Sequence, residues 1–146
     1  MLVVYHIKIK NQKNLSEGYG EVGFGDFNLD GKLDVVIGSL GYDADPWGGM
    51  QPILYLSNED GSYTDSTDLF PQEKMFMHSL SVGDVNNDGY DDIYFGNIVR
   101  YSLPTLLINE GGESFKKAKL PEDIFDFTFY TTPEKPISEG GIRTHN

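Results

Sequence analysis

The chain has 146 residues, with 23 acidic against 11 basic side chains and a net charge of −12. That is room for one modest domain, and the acidic balance excludes a nucleic-acid surface, which needs clustered Lys and Arg. There is no cysteine, which disfavours disulfide-linked repeats, and no run is long or apolar enough to span a bilayer.

Residues 1–10 (MLVVYHIKIK) read as a strand, the last of a unit that precedes the first complete one. Leu2-Val3-Val4-Tyr5 is too short for the apolar region of a signal peptide. Residues 1–18 are therefore a partial strand and linker, and Asn14-Leu15-Ser16 within them is a lone glycosylation triplet of low specificity. A short strand follows at Glu21-Val22-Gly23-Phe24. It enters the acidic loop Gly25-Asp26-Phe27-Asn28-Leu29-Asp30-Gly31-Lys32-Leu33-Asp34 and leaves it through the apolar run Val35-Val36-Ile37-Gly38. After an inserted loop at 41–52, the run Ile53-Leu54-Tyr55-Leu56 enters the turn Asn58-Glu59-Asp60-Gly61, and a fourth strand lies near 62–67.

The same order then recurs. Ser79-Leu80-Ser81-Val82 leads into Gly83-Asp84-Val85-Asn86-Asn87-Asp88-Gly89-Tyr90-Asp91-Asp92, then Ile93-Tyr94-Phe95-Gly96, then Thr105-Leu106-Leu107-Ile108. The turn Asn109-Glu110-Gly111-Gly112 and a strand near 114–120 complete the copy. Asp-Gly and Gly-Gly between apolar runs are hairpin signals. The loops are offset by 58 residues (26 to 84) and the turns by 51 (58 to 109), which implies seven extra residues in the first copy. Four antiparallel strands repeating at this length predict an all-β fold of β-propeller blades. The units run over 19–68 and 69–120. Leu120-Pro121-Glu122-Asp123-Ile124-Phe125 echoes Phe70-Pro71-Gln72-Glu73-Lys74-Met75, so 121–132 reads as the start of a third blade, and 133–146 as a disordered tail. Two blades cannot close a ring that takes about four to eight. The chain therefore reads as part of a larger propeller, or as a unit whose exposed faces need further blades or self-association.

Both loops fit G-D-x-N-x-D-G-x-x-D without a mismatch. Calcium is held by carboxylate, amide and main-chain oxygens. Asp26, Asn28 and Asp30, and again Asp84, Asn86 and Asp88, are the alternate residues whose side chains can converge. Gly31 and Gly89 fall where the chain must turn sharply with positive φ. Lys32 and Tyr90 offer a carbonyl, with their side chains free to point away, and Asp34 and Asp92 close the cage. Carboxylates gathered this closely repel one another until a cation neutralises them. The simpler alternative is an Asx-rich turn, which does not need carboxylates at positions 1, 5 and 9 twice over. Magnesium suits the set less well, since it prefers a rigid octahedron with several waters. An EF-hand needs Glu at position 12 between helices; here Ile37 and Phe95 stand there, inside strand-like runs. A P-loop fails on the glycine spacing and on Leu33 in place of Ser or Thr.

These residues carry a resemblance. The stretches Phe24-Gly25-Asp26-Phe27-Asn28-Leu29-Asp30-Gly31 with Asp34 and Gly38, and Val82-Gly83-Asp84-Val85-Asn86-Asn87-Asp88-Gly89 with Asp92 and Gly96, resemble the FG-GAP or VCBS family of calcium-binding propeller repeats. Integrin α heads and many surface proteins belong to it. The resemblance covers roughly residues 19–120. It implies a propeller, seven-bladed in the integrin case, whose loop between the first and second strands of a blade binds calcium. It thus implies two calcium sites: Asp26, Asn28, Asp30, the Lys32 carbonyl and Asp34, and Asp84, Asn86, Asp88, the Tyr90 carbonyl and Asp92.

In a four-stranded meander the inserted loop falls at the end opposite the acidic loops. It carries the only Trp, Trp47, near Tyr42, Asp43 and Asp45. An aromatic beside carboxylates can stack on a sugar or bind a peptide, and it can equally pin the loop to its own blade. His78, among Met75, Phe76 and Met77, reads as packing between units, and no nucleophile elbow, HExxH or Cys–His pair is present. The expected function is a non-enzymatic, calcium-dependent module for extracellular adhesion or protein–protein contact, with no nucleic-acid partner. A carbohydrate-binding propeller, with Tyr42 and Trp47 as stacking residues, and a scaffold within a larger secreted enzyme are the alternatives. Extracellular modules bind calcium at about 10⁻⁴–10⁻³ M, which places the protein outside the cell or on its surface.

Overall fold

The computed structural model describes residues 9–10, 19–39, 41, 48–96 and 104–120. The third-blade start at 121–132, the tail, Tyr42 and Trp47 lie outside the described residues.

β-branched and aromatic runs bounded by Gly and Asx turns give strands at the expected places. The first sheet contains β1 (Ile9–Lys10), β2 (Tyr19–Gly25), β3 (Asp34–Ser39), β4 (Ile53–Ser57) and β5 (Tyr63–Asp65). The second contains β6 (Ser79–Gly83), β7 (Asp92–Gly96), β8 (Thr105–Asn109) and β9 (Phe115–Lys117). β2 to β5 and β6 to β9 are antiparallel meanders, each strand pairing with the next in the chain. β1 pairs in parallel with β5, Ile9 opposite Tyr63 and Lys10 opposite Thr64. It therefore extends the outer edge of this sheet, an edge that would otherwise present unpaired backbone groups.

The two meanders share one register. Gly25 lies opposite Asp34 as Gly83 lies opposite Asp92, and Val35 opposite Tyr55 as Ile93 lies opposite Leu107. This corrects the alignment of the hairpins. The counterpart of Asn109 is Ser57, not Asn58, so the offset there is 52 (57 to 109) and six residues are extra, not seven. Both hairpins span five residues, closed by Asn58 N donating to Ser62 O and Glu110 N donating to Ser114 O, each at 2.8 Å. Each holds one Asn near its start, and the two stand one place apart.

The sheets bury one core between them, with Val36 and Leu54 from the first, Ile93, Phe95 and Leu107 from the second, and Met75 and Met77 from the connection. β2 lies against β6. Gly23 makes that approach possible, because a Cβ there would overlap Leu80 and come 2.9 Å from Val82 Cγ2. Phe70 and Phe115 meet edge to face at 5.0 Å and join Phe27, which reaches in from the first acidic loop.

Candidate metal centre

The first acidic loop joins β2 to β3 and the second joins β6 to β7, and their backbones are the same. Position 4 is left-handed in both (Leu29 φ 57°, Asn87 φ 60°), as is position 6 (Gly31 φ 80°, Gly89 φ 94°). Gly at position 6 follows from the sequence. Position 4 does not, because Leu avoids this region whereas Asn tolerates it. Leu29→Asn should therefore stabilise the fold by up to about 1 kcal/mol, measured by urea unfolding, with Asn87→Leu giving the opposite sign.

Backbone N–H groups aim the side chains of positions 1, 3 and 5. Asp26 accepts from Asp30 N at 3.0 Å and from Gly31 N at 2.8 Å; Asp84 accepts from Asp88 N at 3.1 Å and Gly89 N at 2.8 Å. Asn28 Oδ1 accepts from Asp30 N at 3.2 Å, and Asn86 Oδ1 from Asp88 N at 3.0 Å. Asp30 Oδ1 accepts from Lys32 N, and Asp88 Oδ1 from Tyr90 N, both at 2.9 Å. Two loops of different sequence thus settle into one set of bonds.

The ninth position behaves differently from the sequence reading. Asp34 and Asp92 are buried, and each spans its own sheet. Asp34 Oδ2 accepts from Phe27 N at 2.9 Å and Oδ1 from Ser57 N at 2.8 Å. Asp92 Oδ2 accepts from Val85 N at 3.0 Å and Oδ1 from Asn109 N at 2.8 Å. Each carboxylate ties position 2 of its loop to the end of the third strand. Among the described residues, no three Asp, Glu or His side chains are gathered as they would be round an ion. Desolvation pushes the Asp34 carboxyl above the ordinary 3.8, against the bonds from Ser57 and Phe27.

Position 7 separates the loops. The Lys32 side chain is not free: its Nζ lies 3.2 Å from Asp30 Oδ2. Desolvation raises the Asp30 pKa, but the bonds and charge of Lys32 outweigh it and hold the carboxyl below 3.8. In the second loop Asp88 Oδ2 instead accepts from Asn86 Nδ2 at 2.8 Å. The donors at positions 1, 3 and 5 are all oxygen and suit a hard cation, but in the first loop an ammonium already sits on one of them.

Asn109, unnoticed in the sequence as anything but a turn residue, is buried between the two loops. Its Nδ2 donates to Phe27 O at 2.8 Å and to Asp91 O at 3.2 Å, and its Oδ1 accepts from Gly112 N at 2.8 Å. Every polar atom of the amide is therefore used.

Residues 26–95 match the FG-GAP-like repeat family, a stretch running from the first Asp of the first loop into β7. That stretch is similar to an FG-GAP-like repeat. Both acidic loops fall inside the matched FG-GAP-like stretch, while Asn109 and its hairpin lie beyond it. No curated protein and no solved structure gives a significant match to the chain.

Proposed function

We propose that this FG-GAP-like module binds one calcium ion at each acidic loop and uses the ions to stiffen a scaffold for extracellular adhesion or protein–protein contact. The observation that supports the reading is the recurrence of one bond pattern in two loops, in which backbone N–H groups hold the side-chain oxygens of positions 1 and 3. Asp26, Asn28 and Asp30 would hold the first ion with the Lys32 carbonyl, and Asp84, Asn86 and Asp88 the second with the Tyr90 carbonyl. Asp34 and Asp92 would complete the two sets through the lone pairs that their N–H bonds leave unused. Calcium supplies charge neutralisation and rigidity, and the module carries out no chemical step. Millimolar calcium outside the cell would fill sites of ordinary module affinity, which favours a secreted or cell-surface setting. Half-exposed Val22 (49%) and Phe24 (54%) on β2 favour further blades, or a second copy, as partners of the first sheet. A glycan-binding role rests on Tyr42 and Trp47, outside the described residues.

Calorimetric titration tests the reading. Two ions per chain are expected, with one lost in Asp30→Ala and the other in Asp88→Ala. A folded chain that takes up no calcium would overturn it. Lys32→Gln should tighten the first site about two- to fivefold, since an exposed ion pair is a weak competitor; no change in its affinity would remove Lys32 from the site.

A further inference from the structure

One path of hydrogen bonds, through buried Asp34, Phe27, Asn109 and Asp92, runs from the first acidic loop to the second. Asp34 accepts from Phe27 N at 2.9 Å, and Phe27 O accepts from Asn109 Nδ2 at 2.8 Å. Asn109 N then donates to Asp92 Oδ1 at 2.8 Å, and Asp92 Oδ2 accepts from Val85 N at 3.0 Å. The path crosses from one sheet to the other only at the Asn109 amide, which also holds Asp91 O in the second loop at 3.2 Å. Phe27 seals it, buried edge to face against Phe115 at 6.0 Å. At the equivalent place the first sheet has Ser57, too short for the same span.

We infer that Asn109 is a positioning residue that couples the two loops, so that an ion in one tightens the other. The inference rests on the calcium reading above. Without an ion each loop is held by its own N–H···O bonds alone, and an ion adds a constraint that those bonds do not supply. An ion at Asp26, Asn28 and Asp30 fixes the segment containing Phe27, and hence the carbonyl on which the Asn109 amide is seated. A seated Asn109 fixes Asp92, Asp91 and the second loop. Ordering one loop thus lowers the entropic cost of ordering the other, and the effect is reciprocal.

The test compares the overall two-ion calcium constant of the full chain with the product of the single-site constants from Asp88→Ala and Asp30→Ala. The overall constant should exceed that product by at least about fivefold. In Asn109→Ser the excess should vanish; Ser stands at the same place in the first sheet, so the fold accommodates it. A second readout needs no ion at the distant loop: in Asp88→Ala, calcium at the first loop should slow exchange of the Val85 amide, and not when Asn109→Ser is added. Two independent sites in the parent, or an excess that survives Asn109→Ser, would overturn the coupling alone. A parent that binds no calcium would overturn the calcium reading and the coupling together.

Discussion

Phe27→Ala is expected to lower the stability of the fold by about 3–5 kcal/mol, the range for deleting a buried Phe side chain. Val85→Ala, at the same place in the other loop, should change it by less than about 0.5 kcal/mol. The two positions have the same local backbone and the same N–H bond to a buried carboxylate. They differ in what lies beyond. Phe27 is 1% exposed, packed edge to face on Phe115 within the shared core that also holds Phe70. Val85 is 55% exposed and outside the shared core. Urea unfolding of both variants measures the contrast. Equal effects would mean that the first loop does not join the two sheets.

The ninth-position carboxylates give the second large effect. Asp34→Ala would leave the N–H groups of Phe27 and Ser57 without their acceptor, and Asp92→Ala those of Val85 and Asn109. Each such group costs about 1–3 kcal/mol when left unsatisfied in the interior, so Asp34→Ala should lose about 2–6 kcal/mol, and Asp92→Ala less, because water can reach the N–H of half-exposed Val85. Asp26→Ala, whose partners are exposed, should lose much less in calcium-free buffer. Asp34 also sets a pH dependence. Its pKa in the folded protein is raised above the ordinary 3.8 by desolvation, so the folded state binds the proton more tightly than the unfolded chain does. Its contribution to stability therefore falls as pH rises through that window and recovers as pH falls. In chelator, the wild type should gain on Asp34→Asn as the pH is lowered from 7 toward 4, the reverse of ordinary acid denaturation. A gap that widens in the other direction would contradict the desolvation of this carboxyl.

Much of this fold is legible in the residues because its signals are local. Val35-Val36-Ile37 and Ile93-Tyr94-Phe95 are strands by their side chains, and each follows a loop whose Gly must take positive φ. The repeat then fixes topology, since two copies of one meander stack the same way. The features that escape are long-range. Nothing near Asn109 points to Phe27, 82 residues earlier. A shared Asn in two hairpins suggests an alignment that is off by one place, and only the pairing of Val35 with Tyr55 and Ile93 with Leu107 corrects it. The motif counts Asp34 and Asp92 with Asp26 and Asp84 and does not show that they are buried. Their burial depends on the third strand, which brings Ser57 N and Asn109 N to them. Lys32 looks free to point away because a heptapeptide does not reveal that its ammonium can fold back onto Asp30.

The central claim is that both loops are calcium sites that hold the sheets together. Its most direct test is the thermal midpoint as a function of calcium, for the wild type and for Asp30→Ala combined with Asp88→Ala. The account predicts a midpoint that climbs with calcium in the wild type, by the equivalent of about 2.7 kcal/mol per site at a hundredfold excess over Kd, and stays flat in the double variant. A folded wild type whose midpoint ignores calcium would contradict it and leave both loops as turns held by their own backbone.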